Sequence, residues 1–482
     1  MKQVSVLIFW LLFATLARAQ DVQMQAARGS SSIKTASVQV DLTGSGGTIP
    51  TNFVGISGEV GDFVNGFYQG TSGQWTSNGF TGNAASYISL VNLLGSTGSF
   101  RLGGGSADTA TAPTITAGMS TNLNSFLVAL GANWKLIYGL DLVANDTTTA
   151  ATTASNISTA VGVNNVVFQF GNEPSLNGFT SATYTARWNS YYTAVRASVA
   201  TANTAAIDDE INLGWGNMPT VAAGLTPGVA GLSFISMHWY SFCNGTWTGF
   251  VPAIVLSSIR VNRYAGNVFG GANQGIGYLA NNYALGSTGQ RMSETNSICS
   301  RGQTGMSNAM VASAWFLNTA IVLASNGWLG MNVHTVWTGG MGIYNPVIIT
   351  ADNNFKAGTV FYGMYLFTKI QGQQIVPSAV GGGANVSAIA TKGGGGNANI
   401  IVVNNDVTNA VVVTLNQSSA WSTASILSIS DSDGNGCAST VPVVGGASIG
   451  ESGSWSGSSY TISNGKSLQL PPCGAALVQI QP

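Results

Sequence analysis

The chain has 482 residues, of which only 7% are charged, and its formal net charge is −1. This composition excludes disorder through charge excess, which needs many charges and few apolar groups. It also argues against nucleic acid as a partner, since the 16 lysines and arginines form no basic run that could neutralise phosphates. Two histidines and four cysteines leave little for a metal cluster. At about 100–200 residues per domain, the length predicts two or three domains.

The first 20 residues are typical of a secretory signal peptide. Lys2 precedes an apolar run over residues 4–16, and Ala17-Arg18-Ala19 forms a small-x-small cleavage site. The run is shorter than the ~20 residues that a membrane span needs, so a membrane anchor is the weaker alternative. We therefore predict a signal peptide over residues 1–19 and a secreted, extracellular protein without membrane contact after cleavage.

Residues 20–45 form an N-terminal segment that includes one predicted strand. Residues 33–42 alternate between apolar and polar side chains and precede the first strand of the next domain. Because a free N-terminal strand would expose an unpaired edge, we expect this strand to join the C-terminal β-domain.

Residues 46–372 contain eight short apolar runs that predict strands, several of which end in a polar or carboxylate residue. In chain order the runs cover residues 53–59, 100–102, 134–142, 166–170, 211–215, 234–240, 291–294 and 331–337. Helical patterns occupy gaps between them, at 184–201 and at 308–325 with Ser307 as the N-cap. Strands that alternate with helices predict a parallel sheet, and eight such units predict an α/β protein with a (β/α)₈ TIM barrel.

The pattern changes after residue 372. Strand-like runs at 400–403, 411–415, 425–429, 459–462 and 475–480 are separated by glycine and serine turns, without a helical period. This pattern predicts a C-terminal antiparallel β-sandwich domain over residues 373–482. We expect it to support the barrel structurally, with sugar binding as the alternative.

Four cysteines in a secreted chain predict disulfides, and four allow three connectivities. Cys437 and Cys473 both lie in the last 50 residues, which favours that pair and leaves Cys243 with Cys299. The latter two follow predicted strands six and seven, which are neighbours in a barrel. A free catalytic cysteine is the weaker alternative, because neither histidine is identifiable as its base.

Five Asn-x-Ser/Thr sequons are candidate glycosylation sites, and glycans there would hydrate a surface with few charges. The alternative is that the abundant serine, threonine and asparagine side chains hydrate the surface without glycans. The sequons begin at Asn145, Asn156, Asn244, Asn385 and Asn416.

The chain has five glutamates, and three of them lie at the carboxyl ends of predicted strands one, four and seven. These are Glu59, Glu173 and Glu294. In a TIM barrel, the carboxyl ends of the strands form the face that carries the active site. Glu210 belongs to an acidic turn over residues 208–210, which we expect to be solvated, and Glu451 lies in the sandwich region.

Strands four and seven lie across the barrel mouth from each other, so Glu173 and Glu294 are predicted to face one another. Glycoside hydrolysis needs such a pair, with one carboxylic acid that protonates the leaving oxygen and one carboxylate on the opposite face. A helix cap or an ion pair with arginine is the alternative for each. It is less expected for both together, at matching strand ends and with Asn172 beside one of them.

The chain resembles glycoside hydrolase family 79, which includes β-glucuronidases and heparanase-like enzymes. The resemblance runs over nearly the whole chain beyond the predicted signal peptide. The matching segments are FVGISGE at 53–59, RLGGGSAD at 101–108, FGNEP at 170–174, SETNS at 293–297, GTVFYGMYLF at 358–367 and PPCGAALVQI at 471–480. The stretch ICSRG at 298–302 lacks the tyrosine of the bacterial β-glucuronidases and looks closer to the fungal branch.

The resemblance implies a retaining reaction that needs no cofactor and no metal, with Glu173 as acid/base and Glu294 as nucleophile. Asn172 would bind the sugar 2-hydroxyl, and Tyr240 would orient Glu294. Further substrate contacts are implied for Glu59, Asp108, Tyr344, His334 and Arg301. For His334, as for His238, a buried hydrogen-bonded role is the alternative, and for Arg301 the alternative is an exposed loop cation.

The implied activity is that of a secreted, monomeric exo-β-glucuronidase, which releases glucuronic acid or 4-O-methyl-glucuronic acid from plant or proteoglycan-type glycans. A heparanase-like endo-glycosidase is one alternative, although the chain is poor in the basic residues that sulfated chains require. The other is a catalytically silent carbohydrate-binding cell-wall protein, which the presence of both glutamates and Asn172 disfavours.

Overall fold

The computed structural model describes residues 33–65, 75–76, 79–80, 84–109, 114–210, 218–226, 228–243, 252, 255–256, 289–337, 341–352, 354–394 and 397–481. The predicted signal peptide, the sequon at Asn244 and the predicted strand at 211–215 lie outside these residues. No helix within the described ranges has the length and apolar character needed to span a membrane.

Eight parallel strands close into a barrel, and short hairpins and an N-terminal strand accompany them. Up to residue 357 the strands are β1 (Lys34–Val40), β2 (Val54–Glu59), β3 (Trp75–Thr76), β4 (Gly79–Phe80), β5 (Thr97–Gly103), β6 (Asn133–Leu140), β7 (Val166–Phe170), β8 (Asn203–Glu210), β9 (Phe234–Cys243), β10 (Gln290–Cys299), β11 (Gly330–Thr335), β12 (Val347–Ile349) and β13 (Phe355–Ala357). The barrel order is β2-β5-β6-β7-β8-β9-β10-β11, with β11 closing back on β2.

Helices pack against the outside of the barrel, because the outward-facing strand residues are apolar and must be covered. The helices are α1 (Val60–Asn65), α2 (Ala84–Val91), α3 (Ala117–Leu130), α4 (Thr147–Val161), α5 (Ser181–Ser198), α6 (Met218–Ala223), α7 (Met310–Ser325) and α8 (Thr359–Thr368). Trp188 of α5 and Trp315 of α7 are fully buried. Trp188 stacks on Tyr192 of the same helix, and Trp315 stacks on Trp239 of β9.

The remaining strands form two sheets that face each other. They are β14 (Gln374–Val376), β15 (Ser378–Gly382), β16 (Val386–Lys392), β17 (Ala398–Asn404), β18 (Val411–Gln417), β19 (Thr423–Asp431), β20 (Pro442–Val444), β21 (Tyr460–Ser463), β22 (Ser467–Leu470) and β23 (Ala475–Gln481). One sheet has the order β15-β1-β18-β22 and the other β14-β16-β17-β23-β19-β20, with β21 paired to β19. The predicted fold class, a TIM barrel with a C-terminal antiparallel β-sandwich, is confirmed.

The N-terminal strand lies inside the sandwich. β1 pairs antiparallel with β15 and parallel with β18, and Val38 and Val40 are fully buried between the sheets. Lys34 at the start of β1 donates to Asp406 at 2.7 Å. The alternation in the sequence of this strand therefore corresponds to one face on the sandwich core and one on solvent.

Two local predictions are wrong. The fifth barrel strand is β8, which includes the acidic residues predicted to form a solvated turn; Asp208 and Asp209 are almost fully buried. The triplet was misassigned because sequence alone did not show the buried cations that neutralise Asp208. Helix α7 has Ala309 as its N-cap, because Ser307 instead bonds Ser297 and the main chain of residue 303.

Candidate active site

Glu173 and Glu294 meet at the carboxyl ends of the barrel strands. Glu173 follows β7 in a left-handed backbone conformation, with φ 47°, and its main-chain N–H donates to the carbonyl of Asp208 at 2.8 Å. Glu294 lies on β10, where the pairing with β9 shifts register between Met292 and Glu294. One carboxylate oxygen of each glutamate and a ring nitrogen of His238 lie within 4.8 Å of one another.

Each oxygen of the Glu294 carboxylate accepts a short hydrogen bond. Arg101 Nη1 donates to Oε2 at 2.7 Å, and the Tyr240 hydroxyl donates to Oε1 at 2.7 Å. Burial alone would raise the pKa of Glu294, but the nearby positive charges of His334, His238 and Arg101 outweigh it and lower the pKa to about 2. Glu294 is therefore an oriented anion at neutral pH, as a nucleophile must be.

Arg101 is the fully buried cation at the centre of this site. Its five N–H groups donate at 2.7–3.0 Å to oxygens of Gln169, Ser57, Glu294, Asn172 and Asp208. Burial would lower its pKa, but the charges of Asp208 and Glu294 raise it above the ordinary value. Arg101 is not among the residues predicted from the sequence; a lone arginine inside an apolar strand is the signal that identifies it.

His238 bridges two carboxylates. Its Nδ1 lies 2.9 Å from Glu173 Oε1, and its Nε2 lies 2.9 Å from Asp208 Oδ1. Burial would lower the pKa of His238, but the charges of Asp208 and Glu294 raise it well above the ordinary value. A protonated imidazole donates from both nitrogens, so His238 links Glu173 and Asp208 through two charge-assisted hydrogen bonds.

Asn172 and Asp108 fix the loops that carry the site. The Asn172 side-chain oxygen accepts from Arg101 at 2.8 Å, which leaves its amide nitrogen, unbonded among the described residues, available to a ligand. Asp108 accepts from the main-chain N–H groups of Leu142 and Asn172 at 2.7 and 2.5 Å. Burial raises the pKa of Asp108 to about 7. These bonds join the loops after β5, β6 and β7.

Glu59 and His334 form an ion pair beside Glu294. Glu59 Oε2 accepts from the main chain and hydroxyl of Ser106 at 2.8 and 2.6 Å, while Oε1 lies 3.3 Å from His334 Nε2. His334 Nδ1 lies 3.1 Å from the Ser57 hydroxyl and 3.6 Å from Glu294. Burial would raise the pKa of Glu59, but the hydrogen bond from His334 and the positive charge of His334 lower it. Both histidines are thus buried and hydrogen-bonded.

Tyr344 and Arg301 lie at the edge of the site. Tyr344 is buried, and its ring centroid is 6.1 Å from that of His334. Burial and the charges of Glu294 and Glu59 raise its pKa well above the ordinary value, whereas Arg301 acts in the opposite direction. Arg301 is half-buried in the turn after β10, where φ is 52° at Ser300 and 73° at Arg301. This turn places a cation within electrostatic range of Tyr344.

The predicted disulfide between Cys437 and Cys473 is confirmed, with a Cα–Cα distance of 5.1 Å. Cys299 is also disulfide-bonded, so it is not a free catalytic thiol. Strand register places residue 299 opposite residue 243, but the side chain of Cys243 lies outside the described part, and this pair stays a prediction.

The described sequons differ in their accessibility. Asn145, Asn385 and Asn416 are exposed. Asn156 is half-buried in α4, and its side-chain nitrogen donates to the carbonyl of Ile115 at 3.1 Å. Glycosylation needs that nitrogen, and the Asn385 nitrogen also donates, to the carbonyl of Asn405 at 3.4 Å. Asn156 is the least suited of the four, because it is also half-buried.

Comparisons with known proteins find likeness in structure only. No family model and no curated protein sequence matches the chain. A 4-O-α-L-rhamnosyl-β-D-glucuronidase from Fusarium oxysporum 12S superimposes with a TM-score of 0.67 at 16% identity, over 91% of this chain and 99% of that one. An α-L-arabinofuranosidase from Thermotoga maritima gives 0.66 at 12% identity, over 93% and 100%. A GH51 arabinofuranosidase from Xanthomonas axonopodis pv. citri gives 0.65 at 11% identity, also over 93% and 100%. At these identities, the chain shares with glycoside hydrolases the fold of a TIM barrel joined to a β-sandwich.

Proposed function

We propose that the protein is a retaining glycoside hydrolase that acts as an exo-β-glucuronidase. The observation that carries this proposal is the approach of Glu173 and Glu294, with carboxylate oxygens within 4.8 Å of each other. Retaining glycosidases hold their two carboxyl groups about 5–5.5 Å apart, whereas inverting enzymes need about 6.5–9.5 Å to admit a water. The short separation favours double displacement.

In the first half-reaction, Glu294 attacks the anomeric carbon and the glycosidic bond breaks. The proton of the Glu173 carboxyl goes to the leaving oxygen, and the sugar remains as an ester on Glu294. In the second, Glu173 takes a proton from a water that attacks the anomeric carbon, which releases the sugar and restores both carboxyl groups.

The surroundings of the two glutamates fit these roles. Arg101 and Tyr240 each hold one oxygen of Glu294, so that the carboxylate is oriented before substrate binds. His238 donates to Glu173, which restrains the orientation of the proposed acid/base. The amide nitrogen of Asn172 would donate to the sugar 2-hydroxyl, a contact that strengthens in the transition state.

The uronic acid part of the proposal rests on Arg301. A guanidinium pairs with a carboxylate through two parallel hydrogen bonds, and Arg301 stands at the edge of a site otherwise rich in anions. A structural neighbour named as a rhamnosyl-glucuronidase is in line with this assignment.

The first test is hydrolysis of aryl glycosides by the wild type, Glu294→Gln and Glu173→Gln. We expect release of a β-configured sugar by the wild type, no turnover by Glu294→Gln, and a loss of about 10²–10⁴-fold for Glu173→Gln. Glu451→Gln, an exposed glutamate of the sandwich, is the matched control and retains full activity. Unchanged turnover in Glu294→Gln would refute the mechanism.

The substrate is tested by the ratio of rates on aryl β-glucuronide and aryl β-glucoside. We expect a high ratio for the wild type and a ratio reduced about tenfold or more by Arg301→Gln, since a charge-assisted pair is lost. Preference for an aryl α-L-arabinofuranoside would support the proposed hydrolase activity but refute glucuronic acid as the substrate sugar. No turnover of any glycoside would favour a binding protein.

A further inference from the structure

Asp208 is a fully buried carboxylate that the reaction scheme does not use. It lies near the end of β8 with φ 63°, where the pairing with β9 shifts register between Ile207 and Asp209. Its Oδ2 accepts from Arg101 Nη2 at 2.7 Å. Its Oδ1 accepts at 2.7–3.0 Å from Gln169, Ser236, His238 and Ser293.

A carboxylate is removed from water at a large cost in free energy unless cations and hydrogen-bond donors compensate. The two cations that compensate Asp208 are Arg101 and His238, and each of them also contacts one proposed catalytic carboxylate. Arg101 donates to Glu294 at 2.7 Å, and His238 contacts Glu173 at 2.9 Å. A continuous chain of charges thus runs from Glu173 through Asp208 to Glu294.

We propose that Asp208 is a positioning residue, which keeps His238 protonated on both ring nitrogens and directs His238 toward Glu173 and Arg101 toward Glu294. The inference rests on the proposed function only in assigning the chemistry to Glu173 and Glu294. The carboxylate acts through its charge, because an amide of the same shape would not hold the second proton on the imidazole.

The other charged and titratable groups around Asp208 and His238 determine in which direction the pH–rate profile shifts when His238 loses its charge. They come from several elements of the barrel: Glu294 on β10, Glu173 after β7, Arg101 on β5, Tyr240 on β9, Tyr184 on α5, Asp209 on β8, and His334 and Glu59 on β11 and β2. If His238 became neutral, Glu294 would lose one of the cations that hold its pKa low. The acid limb of the pH–rate profile would then move to higher pH.

The first measurement is the protonation of His238 by ¹⁵N NMR. The chain has only two histidines, so labelled protein gives two imidazole spin systems, which His334→Gln assigns. We expect both His238 nitrogens of the wild type to stay protonated from pH 6 to 8, and His238 of Asp208→Asn to become neutral within this range. A neutral His238 in the wild type at pH 7, or the same titration in both proteins, would overturn the proposal.

The second measurement is the pH profile of kcat/KM on the best aryl glycoside. We expect Asp208→Asn to lose about tenfold to 10²-fold at pH 7, with the acid limb at higher pH. Ser236→Ala removes one hydrogen bond to Asp208 but leaves its charge, so His238 stays protonated and activity remains within about tenfold of the wild type. Equal effects of both substitutions on His238 would assign Asp208 a packing role and refute the inference.

These outcomes separate the inference from the proposed function. If the wild type hydrolyses no glycoside, the hydrolase proposal fails, while the NMR titration still decides the role of Asp208. If Asp208→Asn does not fold by circular dichroism, the wild-type titration still tests the inference, because a neutral His238 at pH 7 overturns it.

Discussion

Tyr240 shows how a single hydroxyl sets the state of the proposed nucleophile. It points from β9 to Glu294 on the neighbouring strand and donates to Oε1, while Arg101 donates to Oε2. Burial raises the pKa of Tyr240 well above its ordinary value, so its proton stays in place across the neutral range. The hydroxyl is therefore a permanent donor to the carboxylate.

Tyr240→Phe is expected to reduce kcat/KM by about 10-fold to 10²-fold, since a hydrogen bond to a charged group contributes about 1.5–3 kcal/mol. The acid limb of the pH profile moves up, because a donor that stabilises ionised Glu294 is lost. Tyr138→Phe is the control: Tyr138 is buried, and its hydroxyl has no hydrogen bond to any described residue. An unshifted acid limb in Tyr240→Phe would contradict this role.

At this scale, the sequence could predict residues whose chemistry is local in the chain. Asn172 and Glu173 follow β7 and Glu294 lies on β10, and the structure brings them together. Arg101 and Asp208 are not predicted from the sequence, because each owes its role to its ion pair with the other, and the two residues are 107 positions apart. An acidic triplet in sequence has the same pattern whether its charge is solvated or neutralised inside a barrel.

Helix α4 begins at a side-chain cap. Asp146 caps α4, where one carboxylate oxygen accepts from the main-chain N–H groups of Thr148 and Thr149 at 3.0 Å. α4 and the end of β6 line a cavity of about 210 Å³ together with Ala107. The start of this helix therefore borders a cavity whose wall also includes residues after β5 and β6.

Asp146→Ala is expected to lower the free energy of unfolding, because two main-chain donors lose their acceptor. Denaturant unfolding followed by circular dichroism measures this change as a lower midpoint concentration. Asp146→Ser keeps a capping oxygen and should have a midpoint closer to that of the wild type. Equal losses in the two variants would show that the cap is not the cause.

Element types were predictable where a strand or helix carries its own periodicity, as in α5 or β19. Element bounds were not predictable where a tertiary contact decides them. β8 extends over Asn203–Glu210 because Asp208 is held by cations from β5 and β9. Likewise α7 begins after Ala309, since Ser307 is engaged by Ser297 of β10.

The whole molecule is held together by strands that are distant in sequence. β1 completes a sheet whose other members begin more than 340 residues later. α7 of the barrel also donates from Asn318 to Asn405 of the sandwich region. The barrel and the sandwich consequently share one continuous apolar core, which contains Ile401 and Leu477 as well as barrel residues.

Val38→Asp is expected to destabilise the sandwich by several kcal/mol, because it places an unpaired charge among apolar side chains. Gln39→Asp on the same strand points to solvent and should change stability by no more than about 0.5 kcal/mol. Thermal unfolding and soluble yield of the full chain measure both. Similar losses for the two variants would refute the inward orientation of Val38.

The position of β1 has a consequence for biosynthesis. A ribosome that adds about 5–20 residues per second needs roughly 20–75 seconds to progress from β1 to its partner β18. During that interval the barrel segments emerge and can fold, while both edges of β1 lack the strands with which they pair in the native structure. The N-terminal strand therefore joins its sheet only after the whole barrel has been synthesised.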